Sequence, residues 1–353
     1  MGLLDFLFGL TRTWLCRFFG FCKCKSNVPP ATCPIHWQPS VLAPVFYGVQ
    51  EFGAMAGPPG PCRLFFPSLD GAVFTAPILA GCTRYPLIIF CHGSCPAEAE
   101  HYKTWFEMPA ALARCGYIVL VPALPEISGG KLPSEANDDL ALLGAFESWM
   151  RTSWEHRDLL MPAPCAGVMG HSFGSLLAAR FAHGGKVSAY ASLSGVWLLD
   201  DTAPLHSLHI PKFFTWGSAD SGLDPYTQLA GPQWNAIPIN KHSAEFRGAA
   251  HWDYLRAGAS ACETARGGCS YTGIVARDLV TTFFAKYLPP ECWPGLSACI
   301  PDSLIAPSYN LSFEQQFFAG GNLMGLKLLA ANKACRVLLT WKTTGGQGSV
   351  TKP

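Results

Sequence analysis

Residues 170–174 read GHSFG, which has the form G-x-S-x-G with Ser172 at its centre. An apolar run at residues 165–170 precedes this pentapeptide and small residues follow it, so the sequence predicts a strand, a tight turn and a helix. Such a turn lifts a serine hydroxyl above the edge of a sheet, and it is so tight that the residues around the serine must be small. The motif alone is weak, but in this setting it predicts Ser172 as a nucleophile.

A serine hydroxyl becomes a good nucleophile only when a base takes its proton, and in this type of site the order along the chain is serine, acid, histidine. His251 follows a predicted late strand within the stretch GAAH, where small residues let an imidazole approach the turn. We therefore predict His251 as the base. The alternative is His242, which precedes that predicted strand instead of following it.

The acid should follow a strand that lies between Ser172 and His251 in the chain. Asp220 does so, because it comes shortly after the predicted strand Lys212–Gly217. Its carboxylate would fix the tautomer of the histidine and stabilise the imidazolium. Three other aspartates are alternatives, one further into the same loop and two after the preceding strand: Asp224, Asp200 and Asp201.

Acyl transfer to a serine also needs backbone N–H groups that stabilise the oxyanion of a tetrahedral intermediate. One should come from Phe173, directly after the nucleophile. The other should come from Ser94, in the loop that follows the buried strand predicted at residues 86–91. Two histidines in these loops, His92 and His171, are expected to support the loops by hydrogen bonds.

No other site chemistry is evident in the sequence. Cys22 and Cys24 have no matching cysteine or histidine pair at zinc spacing, and there is no glycine-rich phosphate loop, so we expect neither a metal nor a cofactor. The net charge of +1 gives no electrostatic reason to expect a nucleic-acid partner. Among 15 cysteines, two pairs bracket short loops and could form local disulfides, with free buried thiols as the alternative: Cys262 with Cys269, and Cys292 with Cys299.

The elements that must position these residues alternate along the chain from Tyr47 onwards. Strands are predicted at residues 63–67, 86–91, 117–122, 165–170, 187–193, 212–217 and 243–247, and helices at 98–115, 134–150, 173–182 and 271–288. Strands that alternate with helices predict an α/β fold with a mostly parallel central sheet and helices on both faces.

Four segments together resemble a known branch of the α/β-hydrolases. They are RLFFPS at residues 63–68, FCHGS at 90–94, GHSFG at 170–174 and GAAHW at 248–252. The branch contains platelet-activating-factor acetylhydrolases, chlorophyllases and cutinase-like polyester hydrolases, and the resemblance covers roughly residues 45–290. It implies the α/β-hydrolase fold and a serine esterase whose nucleophile and base are Ser172 and His251.

The sequence departs from the acetylhydrolases at the acid. These enzymes carry it just after the strand that follows the helix of the G-x-S-x-G turn, and this chain has Ser194 at that place. The resemblance to the cutinase-like members therefore implies Asp220, one strand later.

The first 30 residues differ from the rest of the chain. At helical spacing their leucines and aromatic residues fall on one face, which is typical of a helix lying in a membrane interface. A targeting peptide and a helix packed on the protein's own core are the alternatives. Three cysteines beside this helix are candidates for acylation: Cys16, Cys22 and Cys24. We expect peripheral membrane association through residues 1–25, with secretion as the alternative.

The domain organisation predicted from these features has three parts. An amphipathic segment at residues 1–30 precedes a catalytic domain at 31–290, and an extension at 291–353 has an end, residues 343–353, that is expected to be disordered. The chain is 49% hydrophobic and only 14% charged. The hypothesis is therefore hydrolysis of an apolar or lipid-like carboxylic ester through an acyl-enzyme. A thioesterase or acyltransferase of the same fold and a non-catalytic binding protein are the alternatives.

Overall fold

The computed structural model describes residues 46–53, 57–68, 70–79, 84–195, 203–220, 232–263, 266–267, 272–290, 337–344 and 346–352. Several of the sequence-based predictions lie outside these residues. They concern the amphipathic helix of residues 1–30 with Cys16, Cys22 and Cys24, the alternative acids Asp200, Asp201 and Asp224, and the cysteine pair Cys292 and Cys299.

Ten strands in the described part of the chain form one mixed sheet. They are β1 (Phe46–Phe52), β2 (Cys62–Ser68), β3 (Leu87–Cys91), β4 (Ile118–Pro122), β5 (Ala166–His171), β6 (Ala189–Leu193), β7 (Lys212–Gly217), β8 (Lys241–Phe246), β9 (Val337–Thr343) and β10 (Gly346–Lys352). Their order across the sheet is β1-β2-β4-β3-β5-β6-β7-β8-β9-β10. The strands from β4 to β8 in this order are parallel, and antiparallel strands flank them on both sides. The predicted α/β architecture with a mostly parallel sheet is confirmed.

Helices cover the two faces of this sheet. They are α1 (Glu107–Arg114), α2 (Pro125–Ser128), α3 (Asn137–Thr152), α4 (Phe173–His183), α5 (Ala203–His206), α6 (Pro232–Ala236) and α7 (Thr272–Tyr287). Phe90 of β3 belongs to the apolar cluster that includes Val280 of α7, whereas its neighbour Ile89 belongs to the cluster that includes Leu176 of α4. Successive side chains of a strand point to opposite faces, so the sheet has a core on each side.

The central strands are buried along their whole length. Every residue of β3 and β4 is buried, as the unbroken apolar runs of these strands predict for a sheet covered on both faces. Because each of these strands is covered by helices on both sides, the loops at their carboxyl ends are attached to rigid elements. Among the described residues, no helix has both the length and the apolar character needed to cross a bilayer.

The structure corrects two predictions near the β8 edge of the parallel strands. His242 does not precede the last parallel strand but lies within β8, where it pairs with Phe213 of β7 and its ring is hydrogen-bonded to Tyr287. The expected disorder of residues 343–353 is wrong for the residues described there, because β10 pairs with β9 and β9 pairs with β8. Because β10 is polar, its sequence does not suggest a strand. The strand forms through backbone pairing with β9.

Removal of residues 337–353 should destabilise the protein and cause self-association. This truncation exposes the edge of β8 from Lys241 to Phe246, whose backbone then has unpaired groups that can pair with another chain. Thermal unfolding and size-exclusion chromatography measure the two effects. Removal of residues 346–353 alone is the control, because it leaves β9 on β8 and should have a smaller effect on both. If the protein without residues 337–353 stayed monomeric and its thermal unfolding were unchanged, the pairing of β9 with β8 would be contradicted.

Candidate active site

The GHSFG segment forms a sharp turn between β5 and α4. Ser172 stands at this turn with φ 55° and ψ −127°, a backbone conformation that is rare for a residue with a side chain. Its N–H donates a hydrogen bond of 3.0 Å to the carbonyl oxygen of Leu193, at the end of β6. Strained backbone of this kind persists only where the surrounding structure holds it, and it is concentrated at functional sites.

Two glycines allow the close approach that this turn requires. A Cβ atom at position 170 would lie 2.3 Å from the carbonyl oxygen of Gly174. A Cβ at position 174 would lie 2.2 Å from the carbonyl oxygen of His92, in the loop after β3. No side chain fits at these distances, so steric contact explains why both of these positions in the motif are glycine.

Asp220 and His251 lie in direct contact beyond the ends of β7 and β8. Oδ2 of Asp220 is 2.8 Å from Nδ1 of His251, the carboxylate side chain is 3% exposed and the imidazole is 19% exposed. A carboxylate accepts hydrogen bonds, so Nδ1 carries the proton and Nε2 keeps its lone pair; this tautomer is assigned from the hydrogen bond. A second bond of 2.9 Å, from the N–H of Ala219 to the carbonyl of Ala249, joins the same two loops.

The loop of His251 packs on the residue that precedes Ser172. The rings of His171 and His251 have centroids 4.6 Å apart, and Nε2 of His171 is hydrogen-bonded to the carbonyl oxygen of His251 at 3.0 Å. The Ser172 hydroxyl itself makes no hydrogen bond to the His251 ring, and both residues belong to the described part of the chain. Catalytic hydrogen bonds are often long without a substrate and tighten when one binds.

The loop that follows β3 lies against the serine. A Cβ at Gly93 would be 2.9 Å from Cβ of Ser172, and His92 fixes the loop by two hydrogen bonds of its ring. Nδ1 of His92 is 2.9 Å from the carbonyl oxygen of Gly93, and Nε2 accepts the N–H of Leu124 at 3.0 Å. This is the supporting role that the sequence predicts for His92.

The two N–H groups predicted to stabilise an oxyanion are in suitable chain positions. Phe173 is the first residue of α4, and N–H groups in the first turn of a helix have no partner within the helix. The N–H of Ser94 donates no hydrogen bond to any other residue that the structure describes. Neither N–H group donates a hydrogen bond to another residue in the described part of the chain.

Three further residues support the site and have no clear signal in the sequence. Asp253 is 3% exposed, and its carboxylate accepts the N–H groups of Ala250 and Gly267 at 2.9 Å and 3.0 Å, which fixes the loop of His251. Ser194, which has φ 42° at the end of β6, is hydrogen-bonded to the hydroxyl of Tyr254 at 3.3 Å. The stretch HWDY contains both Asp253 and Tyr254, but nothing in it distinguishes supporting residues from surface ones.

Burial keeps the histidines around the serine in their neutral form. Burial, with a smaller contribution from the neighbouring His101, lowers the pKa of His92 to about 3, against the opposing effects of the bond to Gly93 and of Glu98. Burial also lowers the pKa of His171 well below its ordinary value, with a smaller contribution from His251. The pKa of His101 is lowered by burial, which its hydrogen bond to Glu98 only partly offsets.

The cysteines pair differently from the prediction. Cys262 forms a disulfide with Cys95, so both alternatives for it, a local bond to Cys269 and a free thiol, are wrong; Cys269 itself lies outside the described residues. The two half-cystines are 167 positions apart in the chain, in the loop after β3 and the segment after His251. They meet because these two loops emerge at the same edge of the sheet, which spacing along the chain does not reveal.

Comparisons with known proteins do not identify a family for this chain. The sequence matches no protein-family model, and a search of curated proteins finds no match. The family resemblance of the four motifs therefore stays a prediction.

The buried histidines should make the protein sensitive to acid. An unfolded histidine titrates near pH 6.5, whereas folded His92 titrates at about 3, so the unfolded chain binds more protons between these values. The free energy of unfolding should therefore be highest above about pH 6.5 and fall as the pH is lowered towards 3. His92→Gln retains a hydrogen-bond acceptor for Leu124 and cannot be protonated, so it should flatten this fall.

Denaturant unfolding at a series of pH values measures this effect. His156→Gln is the matched control, because the side chain of His156 is 41% exposed. The control should keep the pH dependence of the wild type. Equal pH dependence in His92→Gln and the wild type would show that His92 is not held neutral by burial.

Proposed function

We propose that this protein is a serine hydrolase of the α/β-hydrolase fold that cleaves a carboxylic ester through an acyl-enzyme on Ser172. The observation that supports it most is the strained turn at Ser172 with the Asp220–His251 pair packed against it through His171. A strand–turn–helix nucleophile followed in the chain by an acid and a histidine is the arrangement of that fold.

In the first step, His251 acts as the general base. Its Nε2 takes the proton of the Ser172 hydroxyl while Oγ forms a bond to the carbonyl carbon of the ester. Asp220 holds the proton on Nδ1 and stabilises the imidazolium, without taking the proton itself. In this proposal the hydrogen bond between Oγ and Nε2 forms when a substrate binds.

The tetrahedral intermediate carries its negative charge on the former carbonyl oxygen. The N–H groups of Ser94 and Phe173 donate hydrogen bonds to this oxygen. When the intermediate collapses, the bond to the alcohol oxygen breaks and the alcohol leaves with the proton held by His251. A water molecule, deprotonated by the same imidazole, then attacks the acyl-enzyme, and Ser172 recovers its proton as the acid leaves.

An apolar or lipid-like acyl group is the substrate class in this proposal, because aromatic rings pack around the histidines beside the serine. The indole of Trp252 lies 5.3 Å from the His251 ring and 5.2 Å from the His171 ring, and Trp105 lies 4.8 Å from His171, all measured between centroids. The chain is also 49% hydrophobic. An amphipathic helix at residues 1–30 would bring the site to a membrane surface, where such substrates are concentrated.

A non-catalytic binding protein is the second candidate. The observation that favours it is the missing hydrogen bond between Ser172 and His251. The alternative chemistry of the same site, a thioesterase or an acyltransferase, uses the same acyl-enzyme and differs in the leaving group or in the acceptor that replaces water.

Reaction with a fluorophosphonate probe should occur at Ser172. The wild type should be labelled stoichiometrically, and Ser172→Ala should not be labelled at all. Asp220→Asn should slow labelling and ester hydrolysis on the order of 10³- to 10⁴-fold, because it favours the wrong histidine tautomer. Labelling is followed by gel fluorescence and peptide mass spectrometry, and hydrolysis with an ester panel of increasing acyl length.

Two exposed residues provide matched controls for these substitutions. Ser148→Ala and Asp158→Asn make the same chemical changes away from the site and should react like the wild type. A wild type that is not labelled, or Ser172→Ala labelled equally, would rule out the hydrolase and favour the binding protein. Faster reaction with thioesters than with matched oxygen esters would instead identify a thioesterase.

A further inference from the structure

Four side chains with metal-binding atoms converge beside the candidate active site, and the proposed hydrolysis uses none of them. Three come from the short segment CPAEAEH, with Cys95, Glu98 and His101 at intervals of three residues. Their ligand atoms, Sγ, Oε2 and Nδ1, all lie within 4.8 Å of one another. The fourth is Cys262, which the structure shows bonded to Cys95.

The distances between these atoms are close to those that one tetrahedral ion requires, and binding needs only that Nδ1 of His101 and Oε2 of Glu98 move slightly apart. Zinc bonds of about 2.3 Å to sulfur and about 2.0–2.2 Å to nitrogen or oxygen place neighbouring ligand atoms about 3.3–3.8 Å apart. Sγ of Cys95 is 3.6 Å from Oε2 of Glu98, and Nδ1 of His101 is 3.0 Å from the same oxygen. The Cα atoms of Cys95 and Cys262 are 5.6 Å apart, so two free thiolates could turn towards one ion by side-chain rotation.

The surrounding residues hold this cluster in place. Oε1 of Glu98 accepts the Thr104 hydroxyl at 2.6 Å, and Oε2 accepts the Ser260 hydroxyl at 3.1 Å. Cys95 and His101 are 0% and 1% exposed. The Glu98 side chain is 25% exposed, which gives a metal ion a path from solvent. Partners that orient the ligands are typical of real metal sites.

We propose that these four side chains bind one Zn²⁺ ion when the disulfide between Cys95 and Cys262 is reduced. Thiolates, an imidazole and a carboxylate form a ligand set that zinc accepts. The proposal departs from the sequence-based expectation of no metal, because Cys262 joins the cluster only through the fold. It does not depend on the proposed hydrolysis.

The reduction and the binding balance as two steps. Two equivalents of an external thiol convert the disulfide into the thiols of Cys95 and Cys262 and are themselves oxidised to a disulfide. Zn²⁺ then displaces one proton from each thiol into solvent, while the proton on Nδ1 of His101 moves to Nε2 so that Nδ1 can bind. The two thiolates and the carboxylate give the occupied site a net charge of −1.

Either linkage connects the same two loops. Cys95 directly follows Ser94, and Cys262 follows His251 in the next loop of the site. The disulfide holds these loops together in oxidising surroundings, and the zinc ion holds them together in reducing ones. Without either, the hydrogen bond from Ser260 to Glu98 still joins them.

Protection of individual cysteines from alkylation tests the proposal on the full chain. The protein is reduced with dithiothreitol, freed of it without oxygen, and alkylated with iodoacetamide with and without Zn²⁺; mass spectrometry then quantifies each cysteine. Zinc should slow alkylation of Cys95 and Cys262 at least about tenfold, and a chelator should reverse this. Alkylation of Cys165 should not change, and Co²⁺ in place of zinc should give the absorption of tetrahedral thiolate coordination.

Variants of the other two ligands distinguish a four-ligand site from binding by thiols alone. Glu98→Gln and His101→Gln should each weaken zinc binding at least about 10- to 100-fold, which is the cost of losing even an outer partner of a zinc ligand. Glu100→Gln, at a neighbouring residue paired with Lys103, is the matched control and should bind as the wild type does.

Two results would overturn the proposal. One is equal alkylation of Cys95 and Cys262 with and without zinc in the wild type. This measurement does not depend on the folding of any variant. The other is unchanged protection in both Glu98→Gln and His101→Gln. The double variant Cys95→Ser/Cys262→Ser, which retains the other cysteines, should bind one zinc ion fewer per reduced chain than the wild type.

Discussion

Neighbouring parallel strands end at the same edge of a sheet, and the candidate site depends on this constraint throughout. Gly217 of β7 pairs with Phe246 of β8, so the loops that carry Asp220 and His251 leave the sheet side by side. Cys91 of β3 pairs with Gly170 of β5, which in the same way brings the loop of Ser94 to Ser172. No residue of the site needs a long loop to reach its partner.

Close packing at this edge leaves little freedom to the loops. The positive φ of Ser172 is maintained by the bond of its N–H to Leu193 and by the approach of α4 to the loop of His92. His171 lies between the turn at Ser172 and the loop of His251, and burial keeps it uncharged by lowering its pKa. A charge on this buried ring would weaken the packing that positions His251, and the lowered pKa keeps the ring uncharged at neutral pH.

The sequence predicts well what depends on local pattern. The bounds of β7 agree with its apolar run, the burial of β3 and β4 follows from theirs, and the steric need for glycine around Ser172 is visible in GHSFG. Asp220 could be chosen because a loop after a parallel strand must lie at the carboxyl edge. These inferences need only the neighbours along the chain.

Contacts between distant segments are what the sequence does not reveal. Cys262 has a nearer candidate in Cys269, but the fold brings Cys95 to it from another loop. The polar residues of β10 form a strand only because β9 offers a free edge. Asp253 supports the loop of His251 by accepting hydrogen bonds from backbone N–H groups. Every residue type except proline has such a group, so the sequence does not indicate these contacts.

A crystal structure of the protein after reaction with a fluorophosphonate tests the central claim most directly. The phosphorus should be bonded to Oγ of Ser172, with its oxygen within about 3.2 Å of the backbone nitrogens of both Ser94 and Phe173. Nε2 of His251 should face the adduct, with Nδ1 still bonded to Asp220. An adduct on another residue, or a phosphoryl oxygen turned away from both nitrogens, would contradict the assignment of this site.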